Sequence, residues 1–120
     1  MRSEWQTYKG RQLFYCNFGA LENDELQAEV DATDALIMKQ PIGSVLALVN
    51  VQDVPPTRKS IGIFINSIPR TQKHIRKTAV LGVGFSGKRK VLFDAVMRIT
   101  RAEMMVFEDA EKAKDWLVQE

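Results

Sequence analysis

The chain has 120 residues, of which 45% are hydrophobic and 27% charged, and its 17 basic and 15 acidic side chains leave a formal charge of +2. That length fits one domain, the balance excludes an intrinsically disordered chain, and so mild a charge does not by itself imply nucleic-acid binding. The single cysteine, Cys16, excludes an internal disulfide, and no apolar run approaches the roughly eighteen residues that cross a bilayer, so the expectation is a cytoplasmic protein that does not span the membrane.

Trp5 to Tyr8 and Gln12 to Phe18 flank Lys9-Gly10-Arg11, which predicts an antiparallel hairpin with Gly10 in the turn. Asn23 then reads as a helix N-cap followed by the acidic first-turn residues Asp24 and Glu25, and Leu26, Val30, Thr33 and Ile37 recur at helical spacing. Pro41 and Gly43 stop that helix, and Val45 to Val49 is a continuous apolar run of the kind buried on both faces of a sheet. Thr57 caps the next helix, whose core stripe is Ile61, Phe64, Ile65 and Ile68 and whose end is set by Pro69. Thr78 to Val83 predicts a second buried strand, and Ser86 caps a helix with Leu92, Ala95, Val96 and Ile99 inward. Glu103 to Phe107 makes a last strand, and Asp109 caps a final helix that buries Ala113, Trp116 and Leu117. The expected order is ββαβαβαβα in one domain over residues 1–120. It forms an α/β fold with a mixed five-stranded sheet, an N-terminal antiparallel hairpin followed by parallel βα units, and four helices. Loops after the parallel strands should gather at one edge, where α/β sheets bind ligands.

Basic residues lead into an apolar strand with a glycine exit in Arg76-Lys77-Thr78-Ala79-Val80-Leu81-Gly82-Val83, followed by Val106-Phe107 and by a terminal helix with Glu111, Ala113 and Trp116-Leu117. From about Glu4 to Leu117 the chain resembles the SpoIIAA-like family, small bacterial domains of the STAS/SEC14 type. The resemblance implies a non-catalytic regulatory or binding module. Its STAS side implies a phosphorylatable residue at the start of the helix after a central strand. The Asp-Ser-Ser-Gly tetrapeptide of that switch is absent, and Thr57 and Ser60 are the residues of Asn50 to Gly62 that lie near the corresponding place. Its SEC14 side implies a lipid or another small apolar ligand.

Gly82-Val83-Gly84-Phe85-Ser86-Gly87-Lys88 satisfies G-x-G-x-x-G between a strand and a helix, and Glu108 follows at about the distance of a ribose-binding acid. The same stretch satisfies G-x-x-x-x-G-K, but Arg89 stands where a P-loop needs a magnesium-binding hydroxyl. Lys88, Arg89 and Lys90 in the first helical turn suit an anion site, whereas a plain strand-to-helix turn also needs glycines. Gly82, Gly84, Ser86, Gly87, Lys88, Arg89 and Glu108 are thus candidates for an anion or nucleotide.

A second basic cluster, Arg70, Lys73, His74, Arg76 and Lys77, enters the same strand from its other end and lacks interleaved aromatics, which disfavours nucleic acid. His74, the lone histidine, predicts a solvated loop residue and neither a zinc site nor a catalytic triad. Cys16 reads as a small core residue, and Asp53, Glu108 and Asp109 do not by themselves identify acid–base catalysis. No catalytic residue, metal or cofactor is assigned. The expected partners are a protein, a second copy of the chain, or a small ligand or lipid.

Overall fold

The structure, a computed structural model, describes residues 1–119. Its elements are β1 (Glu4–Tyr8), β2 (Arg11–Asn17), α1 (Asn23–Met38), β3 (Val45–Asn50), α2 (Arg58–Thr71), a 3-10 turn (Gln72–His74), β4 (Ile75–Leu81), α3 (Gly87–Thr100), β5 (Met105–Phe107) and α4 (Ala110–Val118). Lys9 and Gly10 both take positive φ, 49° and 79°, the backbone that a two-residue hairpin turn demands, and they close Tyr8 onto Arg11. β1 is antiparallel to β2, and β2, β3, β4 and β5 then pair in parallel, so strand order in the sheet equals chain order. The expected mixed α/β fold is therefore present.

Successive crossovers in one direction and of one hand put their helices on one face of the sheet. That face carries the first core, in which Phe14, Cys16, Val45 and Ala47 meet Leu26, Val30 and Ile37 of α1 and Ile63 of α2. Among the described residues the opposite face is covered by α4, where Leu13, Leu46, Leu48 and Ala79 meet Ala113 and Leu117. Alternate side chains thus go to two apolar layers, which is why the central strands read as unbroken hydrophobic runs. Asp109 caps α4 by accepting a hydrogen bond from the Glu111 N–H at 2.8 Å, and Lys77 Nζ donates to the Trp116 and Gln119 carbonyls at its other end. No helix among the described residues is long and apolar enough to cross a membrane.

Several local expectations are corrected. Asn23 is not a side-chain cap: it sits at φ 54°, a left-handed conformation that asparagine tolerates, and Glu22 before it makes no side-chain cap bond. Pro69 does not end α2, which runs through it to Thr71; the ring is exposed in the last turn, and the Gln72 N–H still reaches the Ile68 carbonyl. The fully buried positions of α2 are Ser60, Ile63, Ser67, Ile68 and Thr71, while Ile61, Phe64 and Ile65 are half-buried, because part of the predicted stripe faces a cavity. Ile99 is 64% exposed and α3 turns Val96 and Thr100 inward, since a three-residue edge strand offers this helix little sheet to cover. β4 starts at Ile75, three residues earlier than expected, and His74 is buried, its Nδ1–H donating to the Gln40 carbonyl at 2.8 Å.

Candidate functional site

Register explains why the helix-bearing face is hollow. Phe14, Ala47 and Thr78 form one cross-strand row on this face, and Cys16, Val49 and Val80 form the next. Cys16, Ala47 and Thr78 are short, so the floor beneath α2 and α3 is low, and the larger side chains above it do not fill the space. The result is a cavity of ≈ 160 Å³, roofed by Ile61, Phe64 and Ile68 of α2 and by Leu92, Phe93 and Val96 of α3. Its lining is predominantly apolar, with Met97 and Met104 as adaptable wall residues. Burial pushes the Cys16 thiol far above its ordinary range, so it stays protonated and behaves as an apolar lining group.

One wall is polar. Asp34 of α1 accepts a 2.7 Å hydrogen bond from Ser67 Oγ of α2 on its Oδ1. Its Oδ2 lies 3.2 Å from the Arg70 guanidinium, an ion pair without hydrogen-bond geometry, and no other side chain or backbone group among the described residues donates to it. Burial raises the Asp34 pKa, while the Ser67 hydrogen bond and the Arg70 charge work against that rise. Thr33, Ser60, Ser67 and Thr71 also line the cavity. Their hydroxyl protons are already committed: Thr33 to the Val30 carbonyl, Ser60 to Pro55 and Thr57, Ser67 to Asp34, and Thr71 to Ser67 and Ile68.

The glycine turn lies at the edge where the parallel strands end. Leu81 pairs with Phe107, so Gly82 and Glu108 follow one another on the same rim. Gly82 has φ 98°, and a Cβ there would overlap the Gln52 backbone nitrogen, so its glycine is required by the close passage of two loops. Gly84 and Gly87 also have positive φ but open surroundings. The Arg89 guanidinium is engaged by backbone: it donates to the carbonyls of Gly82 (3.1 Å), Val54 (2.5 Å) and Val51 (2.7 Å), tying the loop after β3 to the loop after β4. Ser86, Lys88 and Glu108 are exposed, Ser86 makes no side-chain cap bond, and Lys90 pairs with Asp94 at 2.5 Å.

Thr57 and Ser60 form a reciprocal capping box, in which Thr57 Oγ1 accepts from the Ser60 N–H at 3.1 Å and Ser60 Oγ accepts from the Thr57 N–H at 3.0 Å. Thr57 is exposed, whereas Ser60 is buried and also donates to the Pro55 carbonyl at 2.7 Å. A phosphate on Ser60 requires this turn to open, whereas the Thr57 hydroxyl stands at the exposed helix start, where the dipole favours negative charge. The second basic cluster borders a separate polar groove at the other end of the strands, lined by Lys73, Arg76, Lys77 and Arg101 with Glu103. Among the described residues no three His, Cys, Asp or Glu gather as a metal cluster.

No protein-family model, curated protein or solved structure matches the chain. Sequence reasoning missed the cavity and its Asp34–Ser67–Arg70 wall. The signal available was a carboxylate set directly beside the apolar stripe of α1, opposite hydroxyl residues at positions 60, 67 and 71 of α2.

Proposed function

We propose that this chain is a SpoIIAA-like, non-catalytic cytoplasmic binding module that takes a small, largely apolar ligand between its sheet and helices α2 and α3. The observation that carries this reading is the ≈ 160 Å³ cavity floored by Cys16, Ala47 and Thr78. Predominantly apolar cavities of about this volume bind benzene-sized molecules, because unfilled space forfeits dispersion contacts that a ligand restores. The element order and the terminal helix seated by Trp116 and Leu117 support the SpoIIAA-like assignment. Occupancy of the cavity would act on α3, whose exposed Val91 and Ile99 are surface available to a protein partner.

A thermal-denaturation screen against small aromatics and short-chain fatty acids tests the reading. A ligand at a hundredfold excess over its Kd should stabilise the native state by about 2.7 kcal/mol and raise the melting temperature accordingly. Ala47→Leu, which places a side chain in the cavity, should abolish the response while the protein stays folded. Melting curves that no apolar compound moves, or a shift that survives in Ala47→Leu, would overturn the proposal.

A further inference from the structure

Resting on that reading, we infer that the ligand is a single-chain amphiphilic anion, with its apolar chain in the cavity along β4 and its carboxylate or phosphate end held by Lys73, Arg76 and Arg101 in the basic groove. The groove exists because β5 is short. Its first residue, Met105, pairs with Ala79, so among the described residues Ile75 to Thr78 of β4 have no strand beside them on that side. α3 closes on Arg101, which turns the chain back at φ 56°, and Arg101 to Met104 border the gap instead. The groove left there measures ≈ 260 Å³ and shares Ile68, Thr71, Ile75, Thr78 and Met104 with the wall of the apolar cavity. The same five residues thus face an apolar space and a basic one. Met104, unbranched and half-buried, is the member with the freedom to move aside.

The positive charge of the groove is not neutralised locally. Lys77 lines it but commits its ammonium to the Trp116 and Gln119 carbonyls, at 2.9 and 2.8 Å. Lys73, Arg76 and Arg101 are exposed and, among the described residues, make no ion pair; Glu103 is the acid that stands with them. Two guanidinium forks and an ammonium suit a carboxylate or phosphate, which keeps its outer side in water. An anion drawn into the cavity itself would lose that solvation, so the charged end stays outside. The cavity lining follows β4 from Ile75 through Thr78 to Val80, about 16 Å of strand, starting at the basic end. A long space of ≈ 160 Å³ that opens beside cations fits one extended chain with its head at the groove.

Octanoate and octanol are the probes: they share a chain, but only octanoate is charged at neutral pH. Octanol is the more apolar of the two, so a purely apolar site favours it. Titration calorimetry at low salt should instead give octanoate about tenfold tighter binding to the unmodified protein, the size expected of charge-assisted hydrogen bonds. That advantage should shrink at about 0.5 M sodium chloride, because exposed cations are screened. Combining Lys73→Gln, Arg76→Gln and Arg101→Gln changes exposed side chains alone, and should erase the preference while octanol binds as before. Ala47→Leu should abolish binding of both compounds. Octanol binding as tightly as octanoate, an advantage that salt leaves unchanged, or a preference that persists in the triple variant would each overturn the inference and leave the apolar site standing. Octanoate that still binds Ala47→Leu after octanol is lost would put the anion on the groove alone and overturn it too. If neither compound binds the unmodified protein, the cavity reading falls together with it.

Discussion

Two carboxylates on the buried side of α1 show how the same residue class is handled in opposite ways. Glu29 loses solvation, which tends to raise its pKa, but Oε2 accepts hydrogen bonds from Ser3 Oγ (2.7 Å), Ser3 N–H (2.9 Å) and Arg2 N–H (3.0 Å), and the net result is a lowered pKa. Asp34 loses solvation with a single hydrogen bond in return, and its pKa is raised. The linkage signs follow. The native state holds the Glu29 proton less tightly than the unfolded chain, so this group's stabilisation is present above the ordinary glutamate range and is lost as pH falls through the lowered value. The native state holds the Asp34 proton more tightly, so its contribution is present at low pH and is lost as pH rises through the raised value. Urea unfolding from pH 3 to pH 7 should therefore show opposite trends: Glu29→Gln falls further behind the unmodified protein as pH rises, and Asp34→Asn gains on it. Parallel trends would mean that these hydrogen bonds do not set the two ionisations.

At the scale of elements, α3 is held at its start by an arginine rather than by a capping side chain. Ser86 makes no side-chain cap bond, whereas Arg89 in the first turn reaches back to three carbonyls from two loops. Arg89→Met keeps the aliphatic stem and removes those donors. It should cost about 1–3 kcal/mol, the range for leaving buried acceptors unpaired, and speed amide exchange at Gln52, Val54 and the glycine turn. A loss under half a kcal/mol with unchanged exchange would show that the loops hold without it. Most element types and their order were legible in the sequence, because period-two and period-3.6 apolar patterns report burial on a sheet or a helix face. The caps at Thr57 and Asp109 were legible from residue type beside a helical pattern, whereas the reciprocal bond from Ser60 back to the Thr57 N–H was not. The site was not. Whether Ile61 and Phe64 fill a core or roof a cavity depends on the size of Ala47 and Thr78 across a strand pairing, and pairing is a long-range fact. Arg89 read as an anion ligand because its own turn gives no sign of the Val51 and Val54 carbonyls that it serves.

For the whole molecule, the sheet grows in chain order with no reversal, so it has no switch point where an α/β sheet opens a crevice at its strand ends. The cavity accordingly lies between layers, not at the rim where the glycine turn drew attention. The division of helices between faces is just as uneven. One face is roofed by elements that alternate with the strands, but the other waits for α4, which follows all five strands. On a ribosome each new strand would find its neighbour already made, yet Leu13, Leu46, Leu48 and Ala79 would stay bare until Ala110–Val118 emerged. A nascent chain of this design carries an uncovered apolar flank until α4 is made, and α4 closes it. Ending the chain after Glu108 should leave a species that binds hydrophobic dyes, associates at micromolar concentration and recovers a single-molecule state when the missing helix is supplied as a separate peptide. A truncated chain that stays monomeric and dye-free would show that this flank needs no cover.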